Sequence, residues 1–332
     1  MSLRSFLVKR LIYTVILIFF VIILNWIIFE ALPGQQGSFE ILASTPHTTQ
    51  AQRDKLIATY GLNKSVSERF YDYVVAMLTF NFGFSYQTGA PVVSDIVQSG
   101  RLANTLLLLG TSSIISIVVG ILIGILAARR RGSTLDNGSV IASLTTYSLP
   151  TFWMGTLLIL VFTLWFKWFP PGGTVPLQWL STAPPSNLIV QLLVRLQYLF
   201  LPALTLTLFT YGLFLLLTRA TMMEALSEDY IVTARAKGLS ERVILLRHAF
   251  KNASLPIVTA TALQFGFILS GAIITETIFN WAGLGLWLFQ SIQFKDFPVI
   301  QALFFIIALM VIGANFVSDV IYGIIDPRIR YE

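Results

Sequence analysis

The residue types that most often carry catalysis or ligate metals are scarce in this chain. Its 332 residues include no cysteine and only two histidines, His47 and His248, so neither thiolate chemistry nor a cysteine or histidine metal cluster is expected. The chain contains no G-x-x-x-x-G-K-[ST] loop for nucleotide phosphates and no H-E-x-x-H pair for zinc. We also find no persuasive pairing of a nucleophile with a general base. We therefore expect no catalytic residue, no metal and no cofactor on this chain.

Charged residues are concentrated in one stretch, EDYIVTARAKGLSERVILLRHAFKN, at positions 228–252. Eight of its 25 residues are charged, whereas only 11% of the whole chain is. Gly238 can end a first helix in the left-handed conformation, and Ser240 can cap a second short helix. Two short helices with an apolar ridge suit docking into a groove of another protein. On spacing alone, however, an ordinary solvated loop that packs on its own flanking helices is the favoured interpretation. The apolar ridge comprises Ile231, Ala234, Leu239, Val243, Leu246 and Phe250.

Long apolar runs surround this stretch and must position it. The chain is 55% hydrophobic with a mean hydropathy of +0.77, more apolar than a soluble globular protein. Several runs are long enough to cross about 30 Å of hydrocarbon, and they lack the alternation of a barrel strand. Pro202 and Pro256 are predicted to begin their helices, and Pro150 to start or kink one. The sequence predicts six membrane-spanning helices at about 11–29, 102–128, 140–169, 201–217, 256–275 and 299–322.

Basic residues indicate the orientation of these helices. With both termini in the cytoplasm, 14 of the 22 Lys and Arg residues lie inside, which agrees with the positive-inside rule. The net charge of +6 is therefore explained by topology, and no nucleic acid partner is expected.

The same topology divides the chain into three parts. Residues 1–30 form the cytoplasmic N-terminus and first span, residues 31–100 an extracytoplasmic insert, and residues 101–332 a five-helix core. Within the insert we expect amphipathic helices at 48–62 and 67–80. Segment 170–198 is expected to be a second outer loop, and about 220–252 the largest cytoplasmic loop.

The charged stretch resembles the EAA loop of ATP-binding-cassette importer permeases, in the form found in the dipeptide/oligopeptide permease family. Ala234, Ala236 and Gly238 match its alanine-and-glycine core, Asn252 its asparagine and Pro256 its closing proline. The first permease of the pair is the more similar. Further motifs follow in family order along nearly the whole chain: FLVKRLIYTVILIFFVIILNWIIFEALPG, RLANTLLL, SLPTFWMG, LPALTLTL, ETIFNWAGLG and DPRIR. The departures at Gln35, Gln36, Asn81 and Ala282 fall on outer elements and leave the solute open.

This resemblance implies an all-α polytopic protein with the six-helix type I importer permease fold and a helical insert after the first span. It implies a second homologous permease, two ATPase subunits that hold ATP and magnesium, an extracytoplasmic substrate-binding protein, and residence in the cytoplasmic membrane. The solute would be di- or oligopeptides, or alternatively oligosaccharides or a nickel complex. The residues implied to couple to the ATPases are Glu228, Asp229, Tyr230, Ala234, Arg235, Ala236, Lys237, Gly238, Leu239, Arg242 and Asn252.

A translocation pathway between two such subunits needs polar groups that face inward. An uncompensated charge in lipid costs about 2.5–3.5 kcal/mol on insertion scales, so Glu276 and Asp319 must face protein or water. Glu276 is expected either to act at the outer gate or in docking the binding protein, or to anchor the outer loop by a hydrogen bond. Asp319 is expected to form a structural pair. The candidates for the pathway are Asn104, Tyr147, Ser148, Gln264, Ser270 and Glu276.

Two other classes of function remain open from the residues. An ion-coupled secondary transporter would need a relay of buried ionisable groups, and the spans contain few of them. A membrane scaffold or receptor subunit would need no pathway.

Overall fold

The computed structural model describes residues 3–31 and 64–325, and its architecture is helical. Within these residues the only β pairing is an isolated bridge between Phe84 and Pro91. The predicted helix at 48–62 and the C-terminal DPRIR motif lie outside the described residues. The helices are α1 (Leu3–Trp26, continued by a π-helical turn, Ile27–Ala31), α2 (Val66–Leu78), α3 (Val92–Gln98), α4 (Arg101–Arg129), α5 (Thr134–Ser148), α6 (Thr151–Leu158, continued by a π-helical segment, Ile159–Trp165), α7 (Gln178–Ser181), α8 (Leu188–Leu226), α9 (Asp229–Ala236), α10 (Glu241–Val243, continued by a π-helical turn, Ile244–Ala249), α11 (Phe250–Ile278), α12 (Leu284–Phe294) and α13 (Phe297–Ile325).

The long apolar helices agree with the predicted spans. Within the described residues, α1, α4, α8 and α13 are each long and apolar enough to cross a membrane, and they contain the predicted first, second, fourth and sixth spans. Helices α5 and α6 pass the same test together as a pair bent by 104°. The predicted fifth span lies within α11. The predicted helical, multi-pass architecture is therefore confirmed.

Only one of the three prolines lies at the start of a helix. Pro150 directly precedes α6, at the bend between α5 and α6, as predicted. Pro202 and Pro256 instead lie inside α8 and α11, so the prediction that they begin helices was wrong. A membrane helix tolerates an internal proline because neighbouring groups satisfy the freed backbone carbonyl. Helix α8 begins at Leu188, where the side chain of Asn187 accepts the backbone N–H of Ile189.

That early start corrects the predicted outer loop at 170–198. Residues 188–198 are helical, because Asn187 caps the chain and the apolar sequence after it contains no glycine or proline before Pro202. At about 1.5 Å per residue, the 39 residues of α8 extend for roughly 58 Å, about twice the thickness of the hydrocarbon layer.

Contacts group the described chain into two units. One comprises residues 101–286 with the two ends of the chain, up to residue 10 and from residue 313. The other comprises residues 11–100 and 287–312. The charged stretch and all the candidate pathway residues belong to the first unit.

Small residues bring α4 and α8 together in the first unit. A Cβ atom on Gly120 would lie 2.6 Å from the carbonyl oxygen of Tyr211, and one on Gly124 would lie 2.7 Å from that of Leu215. Real Cβ atoms do not approach so closely, so this contact requires glycine at both positions. Beside the glycines, the hydroxyls of Ser116 and Thr210 lie 2.6 Å apart. This is the small-xxx-small packing found between membrane helices.

The second unit is held by buried polar side chains. The predicted amphipathic helix at 67–80 is present as α2, which Ser65 caps together with Glu68 in a reciprocal pair of hydrogen bonds. Asp296, almost completely buried, accepts the hydroxyl of Ser85 and the backbone N–H of Tyr86. These bonds fix the turn that follows α2 against the corner between α12 and α13.

The charge in the last span is paired. Asp319 of α13 lies 3.1 Å from Arg10 of α1, both in the first unit. The predicted structural pairing of Asp319 is confirmed.

Candidate functional site: the charged stretch and the far ends of its helices

The charged stretch folds into two helical pieces that meet at Gly238. Helix α9 ends at Ala236, and Gly238 has a φ of +76°, the left-handed conformation predicted for it. Ser240 then takes the N-cap position of α10, although its side chain makes no capping hydrogen bond. The second piece was predicted to be a separate short helix, and this prediction was wrong. It continues without a break through Ile244–Ala249 into α11.

The inner face of the stretch is an apolar core. Ile231 is completely buried and Ala234 is 4% exposed, and both pack against α8 and α4 through Met222, Ala225 and Ile125. Ala234 therefore contacts residues of its own chain. Ala236, which was predicted together with Ala234 to couple to the ATPases, is exposed. Ala234 belongs to the core that joins the stretch to α4 and α8.

The outer face of the stretch is charged and partly apolar. Arg235 Nε donates to Glu241 Oε1 at 2.9 Å, a bond that joins the two helical pieces across Gly238. This hydrogen bond and the charge of Arg235 lower the pKa of the Glu241 carboxyl. Half-buried Tyr230 has a hydroxyl without a hydrogen-bond partner among the described residues. The exposed residues are Glu228, Asp229, Val232, Thr233, Arg235, Ala236, Lys237, Gly238, Leu239, Ser240, Glu241, Arg242, Leu246, Arg247, Lys251 and Asn252.

At the far end of α11, Glu276 is the centre of a buried hydrogen-bond network. Its carboxylate is fully buried and accepts the Thr105 hydroxyl of α4 at 2.7 Å. The same carboxylate accepts the backbone N–H groups of Gly285 at 2.7 Å and Leu286 at 3.1 Å, in the first turn of α12. The N–H of Leu284 donates to the Thr105 hydroxyl oxygen at 2.8 Å. The anchoring hydrogen bond predicted for Glu276 is thus present, and its role at a gate stays a prediction.

Asn104 extends this network toward α8. Its side-chain amide donates to the carbonyl of Ala282 at 2.8 Å, and its backbone carbonyl accepts the indole N–H of Trp281 at 3.0 Å. Its side-chain oxygen accepts a bond from Arg195 at 3.0 Å. Asn104 and Glu276, separated widely in sequence, therefore hold the same segment, residues 281–286.

Two further pathway candidates meet in a groove between α5, α8 and α11. The groove has a volume of about 730 Å³, within the usual range for small-molecule sites, and is lined by both Tyr147 and Gln264. Tyr147 stacks on Phe209 with ring centroids 5.6 Å apart. Ser148 is exposed and donates its hydroxyl to the carbonyl of Leu144. Ser270 lies in α11, and its side chain is outside the described part of the structure.

Comparison with known proteins gives this arrangement its context. Residues 120–331 match the family described as binding-protein-dependent transport system inner membrane component. The chain belongs to this family. It is 33% identical to the oligopeptide transport system permease protein AppB of Bacillus subtilis, over 98% of this chain and 99% of that protein. It is 33% identical to the di/tripeptide permease protein DppB of Pseudomonas aeruginosa, over 99% of each, and 34% identical to the glutathione permease protein GsiC of Escherichia coli K12, over 99% of each.

The chain is thus a membrane-embedded permease component, and the family and fold predicted from its sequence are confirmed. Residues 228–252 lie within the part of the chain that matches this family, and we call them the coupling stretch after the role proposed for them below. Helix α11, which continues from this stretch, lines the groove and carries Glu276.

Sequence reasoning also missed the ion pair between Asp136 and Arg219 of this permease. Asp136, fully buried at the start of α5, accepts two hydrogen bonds from Arg219 near the end of α8 and one from the backbone N–H of Gly132. Ser133 caps α5 by accepting the Asp136 N–H. The spacing of a serine and an acid three residues later is a recognisable helix-start signal, but it does not identify the arginine.

Proposed function

We propose that this permease imports peptides and forms one half of an ATP-driven translocation pathway. The observation that carries the proposal is the full-length similarity to permease proteins whose names specify oligopeptides, di/tripeptides and glutathione. The other half would be a second homologous permease. Two ATPase subunits would supply the energy, and an extracytoplasmic binding protein would deliver the solute.

In this proposal the exposed face of the coupling stretch contacts an ATPase subunit. The buried core around Ile231 and Ala234 would transmit the force, because it joins the stretch rigidly to α4, α8 and α11. Arg235, Ala236, Lys237, Gly238, Leu239 and Arg242 would form the contact surface, with Glu228, Asp229, Tyr230 and Asn252 at its margins.

Tyr147 and Gln264 would face the passing peptide from the groove, with Ser148 and Ser270 further along the pathway. A mostly apolar wall with a few polar groups suits solutes whose side chains vary, because stacking and apolar contacts select by shape more weakly than hydrogen bonds do. Oligosaccharides and nickel complexes are the alternative solutes for the same machinery, and the names of the similar permeases favour peptides over both.

The deciding experiment is solute uptake by the complete complex in proteoliposomes. With its binding protein and ATP present, we expect accumulation of a labelled di- or oligopeptide, competed by unlabelled peptides. Accumulation of an oligosaccharide or a nickel complex without competition by peptides would overturn the choice of solute. Uptake by the permease alone, driven by an ion gradient, would instead favour a secondary transporter.

The isolated permease is expected to hydrolyse no ATP, because its sequence lacks a phosphate-binding loop. The measurement is phosphate release by the purified chain in detergent, with the assembled complex as the positive control. Hydrolysis that stays with the permease after every ATPase subunit has been removed would contradict the proposed division of labour.

The proposed topology places the termini and the coupling stretch in the cytoplasm and residues 31–100 outside. Because the chain has no cysteine, single cysteines report accessibility without background labelling. We expect Ser67→Cys to react with an impermeant maleimide added to intact cells, and Ser240→Cys to react only after the cells are opened. Both residues are exposed on the surface of this chain, and labelling of Ser240→Cys in opened cells shows that its failure to label in intact cells reflects the side of the membrane. The opposite pattern would reverse the orientation.

A further inference from the structure

Glu276 lies in a site built to hold a carboxylate. The side chain is completely buried, and all three of its hydrogen-bond donors come from other segments of the chain: the Thr105 hydroxyl and the N–H groups of Gly285 and Leu286. Hydrogen bonds to an ionised group are shorter and stronger than neutral ones. Residues 284–286 are therefore tied to α11 by the Glu276 side chain as well as by the connecting loop.

Two glycines make room for this carboxylate. A Cβ atom on Gly283 would overlap the carboxyl group of Glu276, and one on Gly285 would lie 3.0 Å from Glu276 Oε2 and 2.6 Å from the Cα of Ile273. The segment between α11 and α12 can therefore approach the end of α11 only with glycine at these two positions. The AGLG sequence, residues 282–285, and Glu276 therefore fit together as one unit, which we call the joint.

The joint and the coupling stretch lie on one continuous helical segment. Residues 241–278 run from α10 through the π-helical turn and α11 without interruption, a length of roughly 57 Å at 1.5 Å per residue. The segment begins at Glu241, whose carboxylate accepts a hydrogen bond from Arg235. It ends at Ile278, two residues after Glu276. A displacement of the coupling stretch therefore reaches Glu276 along the backbone of a single element.

We propose that Glu276 is the positioning residue that makes segment 281–286 move with this helical segment during transport. Breaking the network would leave a buried carboxylate without partners, which is costly, so its members stay together while the helix moves. Because Thr105 is a member of the network, the start of α4 moves with the same segments. The outer segment then opens and closes in step with the ATPases. This inference rests on the proposed coupling role of residues 228–252.

The test measures solute transported per ATP hydrolysed, in proteoliposomes containing the complete complex and its binding protein. Glu276→Gln keeps the size of the side chain but removes its charge and one acceptor oxygen, and Thr105→Val removes both bonds made by the hydroxyl. We expect each variant to lower the ratio of solute to ATP at least fivefold, because the ATPases still cycle while the outer segment follows incompletely. Thr105→Ser retains the hydroxyl and is expected to restore the ratio.

Thr277→Val is the matched control. Thr277 is the neighbour of Glu276, but among the described residues its hydroxyl bonds only the carbonyl of Ile273 in its own helix, so the ratio should match that of the wild type. If Glu276→Gln and Thr105→Val lower uptake and hydrolysis in equal proportion, the network is only a structural support and the proposal is overturned. If the wild-type complex moves no peptide at all, the proposed function fails, whatever the variants do.

Discussion

Gly238→Val is expected to leave the permease in the membrane but to uncouple it from the ATPases. Gly238 has a φ of +76°, and no atom lies within 4 Å of the position that its Cβ would occupy, so the substitution acts through backbone strain. The left-handed conformation costs other residues about 1–2 kcal/mol, which corresponds to roughly a 5- to 30-fold loss of the native loop geometry. Binding-protein-stimulated ATP hydrolysis and peptide uptake should fall together by this factor.

Gly100→Val provides the control for this substitution. Gly100 has a φ of +69° and equally open space around it, but it lies between α3 and α4, remote in sequence from the coupling stretch. The same strain should there leave hydrolysis and uptake much less affected. Ala236→Glu tests the exposed face directly, since bulk and negative charge at this position should weaken docking without disturbing the buried core. If Gly238→Val and Ala236→Glu both transport at the wild-type rate, residues 228–252 are an ordinary solvated loop.

Adding one methyl group at Gly120 or Gly124 is expected to destabilise the permease. Replacing a helical glycine with alanine ordinarily stabilises a helix by about 0.5–1 kcal/mol. At these two positions the new methyl would lie within 2.7 Å of a backbone carbonyl of α8, which cannot move unless the helices separate. Overpacking of this kind costs about 1–3 kcal/mol, so the net effect should reverse sign.

Thermal unfolding of the purified permease in detergent measures the effect, with Gly110→Ala as the control. Gly110 lies in the same helix, and no atom lies within 4 Å of its Cβ position, so alanine should there be neutral or stabilising. Midpoints that fall for Gly120→Ala and Gly124→Ala but not for Gly110→Ala would support the close contact between α4 and α8. Equal midpoints for all three variants would contradict it.

Features that depend on local sequence were predictable in this permease. Apolar runs indicated the spans, and the left-handed Gly238 and the bend at Pro150 followed from backbone preferences of single residues. The positions of Pro202 and Pro256 were not predictable in the same way. A proline indicates where a helix can begin, but whether one also continues before it depends on the preceding residues and on neighbours in space.

Features that depend on distant contacts could not be predicted. Thr105 and Glu276 are 171 positions apart, and no sequence pattern indicates that they bond each other. Ala234 and Ala236 are similarly small and close together, but only packing against α8 and α4 distinguishes the buried one from the exposed one. The close contact between the backbones of α4 and α8 at Gly120 and Gly124 could likewise not be predicted, because it depends on the positions of both helices.

Helix α4 is synthesised before α8, so its polar side chains must be satisfied for a time without this contact. Ser116 and Thr210 are 94 positions apart, so at about 5–20 residues per second the ribosome needs roughly 5–20 s to supply α8 after α4. During this time the hydroxyls of Ser112, Ser113 and Ser116 need acceptors, and each donates to a carbonyl of its own helix. Helix α4 can therefore insert into the bilayer alone, before α8 has been synthesised.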